Sequence, residues 1–274
     1  MYRNLRSVIK SRSFALCAVV VTASLVANSA GATVLYSTTF TSPTYSNGAL
    51  APGAVNTPGQ DGWSSHSGTG TNAQTVSLAS TQGVVTLTTS GEDTNHPFAA
   101  VNTVGTVFLD ADFTVNSAQA AGDYFLHLGD GGSSNFNGRI YAKSSGAGYV
   151  MAVGTGSTIP PAANFGTTVL AFGTEYHLLM KYNMVAGLAN DNGALYINPT
   201  EIHGIGNTPY VNAFNTGVDA VKLAGVYMRQ GSATAAPGVI IDNLAVSVPE
   251  PATLVSLLSG GLIGLVALRR RLIG

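Results

Sequence analysis

Alternation of apolar and polar residues is clearest over residues 106–115, where Val107, Leu109, Ala111, Phe113 and Val115 share one face and Phe108, Asp110, Asp112 and Thr114 the other. Successive side chains of an extended chain point to opposite sides, so this pattern predicts a half-buried β-strand. Residues 124–128 repeat it, with Tyr124, Leu126 and Leu128 aligned, and end at the turn sequence Gly129-Asp130-Gly131-Gly132. Over 139–143 the pattern sets Arg139, Tyr141 and Lys143 against Ile140 and Ala142. Segments 146–153, 176–182, 193–197, 220–228 and 238–248 supply further strands. Asn192-Gly193, between two apolar stretches, predicts a tight hairpin turn, since a type I′ turn needs positive φ at both central positions. The Gly/Pro/Asn-rich stretch 46–62 reads as loop. Short strands between Gly-rich turns, with no sustained helical period before residue 248, predict an all-β fold of the sandwich or jelly-roll kind.

The two ends follow a different pattern. Arg3, Arg6, Lys10 and Arg12 precede an apolar core over 14–26 and the small-residue run Ala27-Asn28-Ser29-Ala30-Gly31-Ala32. These are the three regions of a secretory signal peptide, and Ala30 and Ala32 fit its A-x-A cleavage site, so residues 1–32 are expected to be removed and Thr33 to start the mature chain. At the other end Val248-Pro249-Glu250-Pro251 leads into the uncharged stretch 252–268 and then Arg269-Arg270-Arg271. Crossing a bilayer takes about 17 apolar residues at the least, so 252–268 is just long enough for a transmembrane helix. The arginines stop it on the cytoplasmic side. Pro249 and Pro251 hold the chain extended on either side of Glu250, because proline fixes φ and biases the residue before it away from helix.

Composition sharpens the picture in two ways. Cys17, the sole cysteine, lies in the leader, so the exported body has no disulfide, cysteine-ligated zinc or cysteine nucleophile. Seven of the 12 Lys and Arg lie in the two targeting segments, which leaves five against 12 acidic residues in 33–247, a net charge of -7. Nucleic acid and anionic surfaces need a concentrated basic face, so nucleic acid is excluded as a partner. The body, residues 33–247, has the size of a single β-sandwich domain.

The tail Val248-Pro249-Glu250-Pro251-Ala252-Thr253, followed by span and arginines, closely resembles the PEP-CTERM sorting signal of Gram-negative, exopolysaccharide-producing bacteria. That resemblance implies Pro249, Glu250, Pro251 and Arg269 to Arg271 as the sorting motif within 248–274, and exosortase as the partner that removes the tail. It also implies export by the general secretion machinery, a transient hold on the inner membrane, and a final place at the cell surface or outside the cell. Asp123-Tyr124-Phe125-Leu126-His127-Leu128-Gly129, Leu195-Tyr196-Ile197-Asn198-Pro199 and the closing strand Ile240-Ile241-Asp242-Asn243-Leu244-Ala245-Val246-Ser247 are similar to the concanavalin A-like (laminin-G-like) jelly roll of bacterial surface proteins. This likeness implies a jelly-roll body over about 34–247.

Catalytic chemistry finds little footing. The Glu-x-Asp-x-x-Glu arrangement of related glucanases is missing from the sequence. Asp110 and Asp112 do share a strand face, as the paired carboxylates of a glycosidase would, but the ordinary reading of such a pair is the solvated side of the strand. Glu92 and Asp93 beside Gly91 read as solvated turn residues. His66, His96, His127, His177 and His203 are scattered without HExxH spacing, which leaves zinc hydrolysis without support. Calcium is the ion best suited to loop oxygens, with Asp130, Asp191 and Asp242 as candidates. The ordinary reading of each is a turn or strand-edge residue. Arg139, Tyr141 and Lys143 form the best candidate glycan-binding face, unless they are simply exposed. Trp63 reads as core anchor or binding platform. The expectation is a non-enzymatic exported protein with a structural or adhesive role in exopolysaccharide and biofilm, with no obligatory cofactor. Alternatives are a calcium-dependent lectin-like module and a glycoside hydrolase.

Overall fold

A computed structural model describes residues 32–68, 70–200, 206–215 and 219–250. Most of the leader with Ala30, and the tail from Pro251 through Arg269, Arg270 and Arg271, lie outside the described residues, as does His203. Among the described residues no helix is long and apolar enough to cross a membrane.

Sixteen strands carry the fold. They are β1 (Ala32–Thr38), β2 (Gly48–Ala49), β3 (Ser64–Ser67), β4 (Thr75–Ala79), β5 (Gln82–Leu87), β6 (Asp93–Val101), β7 (Gly105–Ser117) and β8 (Asp123–Gly129). Then follow β9 (Phe136–Ser145), β10 (Gly148–Gly154), β11 (Leu170–Ala171), β12 (Glu175–Met184), β13 (Asn192–Ile197), β14 (Val211–Asn212), β15 (Leu223–Met228) and β16 (Gly238–Pro249). One sheet has nine strands in the order β14-β13-β12-β7-β16-β5-β4-β2, with β1 also paired to β16. The other has seven, β11-β10-β9-β8-β15-β6-β3. The ladder pairings are antiparallel, and the two sheets form a jelly-roll β-sandwich.

The alternation in β7 does what strand geometry requires. Val107, Leu109, Ala111, Phe113 and Val115 are all at most 1% exposed and meet Leu126, Leu128, Ile140, Met151 and Val226 of the facing sheet in one core. In a body without thiols this burial carries the stability, at roughly 1.5–3 kcal/mol for each large apolar side chain removed from water. Trp63 belongs to that core, fully buried, and its indole N–H donates to the hydroxyls of Tyr36 at 3.1 Å and Tyr45 at 3.3 Å.

Three local expectations change. A register shift between Tyr124 and Leu126 in β8 turns Tyr124 away from the main core, while Phe125, Leu126 and Leu128 all enter it. A bulge adds a residue to one strand and so flips the side chains on one side of it. Asn192-Gly193 is not the hairpin turn: the connection is 185–191, and the two residues pair with Asn183 and Tyr182 inside the ladder. Gly193 is needed because a Cβ there would collide with the Lys181 carbonyl oxygen. Glu92 is fully buried rather than solvated, and burial raises its carboxyl above the usual carboxylate range. Its backbone oxygen accepts from the side-chain amides of Gln74 and Gln230, each at 3.0 Å, which pins the turn inside.

The ends of the body meet. Ala32 pairs with Pro249, Thr33 with Val248 and Val34 with Ser247, so the start of β1 and the first proline of the tail lie side by side at one end of the nine-stranded sheet.

Candidate functional site

The outer face of the seven-stranded sheet holds the stripe Arg139, Tyr141 and Lys143, but it is not open. Tyr124, Tyr141, Val150, Ala152 and Phe165 form a second buried cluster there, with Tyr141 fully buried. Phe165 follows the short 3-10 turn Ala162–Asn164, and that crossing brings its ring onto the strands, with the Lys143 Nζ 4.3 Å from its centroid. The Arg139 guanidinium lies 4.5 Å over Tyr124 and 5.4 Å from Phe136. The Arg229 guanidinium also lies over Tyr124, 4.2 Å from its ring centroid, and pairs with Asp123. Such contacts keep a cation over the negative face of an aromatic ring. His127 stacks on Tyr227 with centroids 4.8 Å apart and 11° between planes. Its complete burial holds its pKa well below the usual imidazole value, and burial of His66 nearby lowers that ring to about 4. Both rings are therefore neutral packing groups at pH 7. A two-residue period reports which side chains share a face, but not that a distant loop will cover it.

An open cleft of about 530 Å³ lies at the rim of this face. The β8–β9 turn and the start of β9 supply Asp130, Asn135, Phe136, Asn137 and Arg139, the segment after β10 supplies Ser157, and the segment before β15 supplies Asp219 and Lys222. Asp130 accepts from the Asn135 side-chain amide at 2.7 Å and the Gly132 backbone amide at 2.8 Å. The Asn135 bond first, then the Gly132 amide against a small burial cost, holds its carboxyl below the usual range. The Arg139 Nη1 donates to the Ser157 carbonyl oxygen at 3.3 Å. The Asp219 Oδ1 accepts from the backbone amides of Asn190 and Asp191 at 2.8 and 2.9 Å, while its buried Oδ2 has no hydrogen-bond partner.

Asp191 braces this wall from behind. Fully buried, it accepts from the Tyr182 hydroxyl at 2.8 Å and from the amides of Val185 and Ala220 at 2.8 and 2.7 Å. Asp242 is elsewhere, on β16 opposite Asp112, accepting from the Asn243 amide at 2.7 Å; burial raises its carboxyl. The cleft thus unites Asp130 and Arg139 and leaves Tyr141, Lys143, Asp191 and Asp242 outside. Among the described residues no three His, Asp or Glu side chains are grouped to hold a metal ion. Phe136, Asn135, Asp219 and Lys222 are members that alternation did not single out, because they sit in connections or at a strand start, brought together by pairing between distant strands.

Asp110 and Asp112 occupy the outer face of the other sheet, one at each nitrogen of His177. The Nε2 is 3.3 Å from Asp110 and the Nδ1 2.9 Å from Asp112, and Asn243 donates to the second oxygen of Asp112 at 2.7 Å. The hydrogen bond to Asp110 and then that to Asp112, outweighing partial burial, raise His177 to about 9. The carboxylates are occupied in holding an imidazolium.

The tail carries the deciding comparison, a match of residues 247–271 to the family described as PEP-CTERM protein-sorting motif. The chain ends in a PEP-CTERM sorting motif. That motif implies exosortase processing, export and transient membrane anchoring, and the chain is an exosortase-sorted extracellular protein. No curated protein matches this PEP-CTERM chain. Similar solved structures include domain 4 of AbnA, a GH43 extracellular arabinanase from Geobacillus stearothermophilus, in complex with arabinotriose. It is 12% identical over 65% of this chain and 76% of its own, with a TM-score of 0.41. The carbohydrate binding module CBM66 from Bacillus subtilis is 14% identical over 67% and 94%, with a TM-score of 0.38. A conserved carbohydrate esterase from the Shiga toxin-encoding bacteriophage phi24B is 16% identical over 80% and 100%, with a TM-score of 0.44.

Proposed function

We propose that the exported body holds extracellular polysaccharide without cleaving it, as an adhesive or structural component outside the cell. The observation that carries this reading is the rim cleft, where Phe136 lines the wall together with Asn135 and Asn137 and the cations of Arg139 and Lys222. A sugar ring needs an apolar face to rest on and convergent donors and acceptors for its hydroxyls. A polymer that runs through an open cleft needs nothing more to be retained. Calcium is not required in this reading, because Asp130 and Asp191 already accept from protein donors.

Affinity electrophoresis through gels containing the host's exopolysaccharide tests it. The protein is expected to be retarded equally with and without a chelator, to release no sugar, and to lose retardation roughly tenfold when Arg139→Ala and Lys222→Ala are combined, the equivalent of ~1.4 kcal/mol. Unchanged retardation of that double variant would remove the cleft from the reading. Release of reducing ends would replace adhesion by hydrolysis.

A further inference from the structure

Of the eight large apolar side chains most exposed among the described residues, four gather at one end of the sandwich. Val104 is 61% exposed, Val185 38%, Leu188 92% and Val221 89%, and all four line one open groove. They come from three connections: β6 to β7, β12 to β13, and the approach to β15. The register shows which end this is. Met184 pairs with Gly105 across β12 and β7, Leu223 pairs with Val101 across β15 and β6, and Ser247 pairs with Phe108 across β16 and β7. The apolar groove therefore lies at the end where Pro249 and Ala32 leave the sheet.

We infer that this end is a lipid-contact surface, on which the body sits at the bilayer while its tail is still in place. The inference rests on residues 252–268 crossing the membrane, not on the glycan reading. Pro249 is still in the β-ladder, and three residue steps separate it from Ala252. An extended chain covers about 3.5 Å per residue, so the sandwich end stands within roughly 10 Å of the hydrocarbon. The headgroup layer on one side is itself about 5–8 Å deep. Loops at this end must then lie in or against the headgroups, where Val and Leu side chains gain by insertion and charged ones do not. Asn102, Thr103, Val104 and residues 185–189 carry no charge, and the one charged group of the groove, Asp219, is held by the backbone amides of Asn190 and Asp191, whereas the body as a whole is strongly acidic and is repelled elsewhere by anionic lipid. A contiguous apolar patch on an exported acidic protein calls for an occupant, and the tail sets the bilayer as that occupant.

The test uses the full chain in a Cys17→Ala background, reconstituted in vesicles of phosphatidylethanolamine and phosphatidylglycerol. An environment-sensitive fluorophore is placed at Leu188→Cys or, at the opposite end of the sandwich, at Ala147→Cys in the exposed β9–β10 turn. Quenchers carried on the lipid acyl chains are expected to reduce emission at position 188 at least about twofold more than at 147, as insertion of a few ångströms demands. Adding Val104→Asp and Val221→Asp should abolish the difference with vesicle flotation unchanged. Flotation with equal quenching at both positions would overturn the lipid-contact surface while leaving the anchor intact. Failure to float would overturn both. Shielding of position 188 that needs no lipid and grows with protein concentration would also overturn it, and would assign the end to a second copy of the chain.

Discussion

At the scale of single residues, His177 shows how a neutral-looking strand residue becomes a fixed charge. Its ring bridges Asp110 and Asp112, and its proton stays on until about pH 9. A histidine whose folded pKa exceeds its unfolded value binds protons preferentially in the native state, so its contribution is complete below about pH 6.5 and disappears as pH rises through about 9. The side chain is 42% exposed, so solvent screening keeps the effect modest. Urea midpoints are therefore expected to be lower for His177→Gln than for the parent at pH 6, and to coincide at pH 10; a gap that persists at pH 10 would show that packing, not charge, sets it. Asp191 is the opposite case, a buried acceptor with all its value in geometry. Asp191→Ala strands the Tyr182 hydroxyl and the Val185 and Ala220 amides, a loss of about 3 kcal/mol or more. Equilibrium unfolding should report that loss, and retardation by polysaccharide should weaken with it because the Asp219–Lys222 wall loses its brace. The aspartate was visible in the sequence, but its partners were not, since Tyr182 and Val185 reach it only when the β12–β13 hairpin closes and Ala220 comes from a separate segment.

At the scale of elements, β7 was fully legible: five alternating apolar side chains became five buried ones. The β12–β13 hairpin was legible as a pair but not in its turn. Asn192-Gly193 has turn composition, yet the glycine serves the close approach of β13 to the Lys181 carbonyl, and the chain reverses over 185–191 instead. Backbone cannot move aside as a side chain can, so Gly193→Ala is expected to cost about 1–3 kcal/mol as an overpacked contact, read from the shift in denaturation midpoint. A Gly193→Ala protein as stable as the parent would show that the approach of β13 to the Lys181 carbonyl relaxes without cost. The strands β1 to β6 escaped the alternation argument because several pack one edge or only half a face. β6, for example, begins Asp93-Thr94-Asn95-His96 and shows no clean apolar period. The glycan-binding stripe failed as a surface for a related reason: alternation put Tyr141 opposite the main core, and Phe165 then buried it from the other side.

At the scale of the whole molecule, the first and last strands close the body together. Residues more than 200 positions apart pair from Ala32–Pro249 to Thr38–Leu244, and the Tyr36 hydroxyl on β1 accepts a hydrogen bond from the Trp63 indole N–H. Removing residues 33–38 should therefore lower stability by at least about 2 kcal/mol, roughly 4–8 °C in melting temperature for a domain of this size. A melting temperature unchanged by the deletion would mean that β1 is only laid on the sheet. The sequence by itself determined the strand-rich class, the thiol-free acidic body and the sorting tail, because period, composition and a short ordered motif are local properties carried by neighbouring residues. The tertiary structure alone decided which aspartates share a cleft with Arg139, that a loop covers the Tyr141 face, and that the start of β1, the tail and an apolar rim share one end. Those are outcomes of long-range pairing and packing, and no residue's neighbours in the chain specify them.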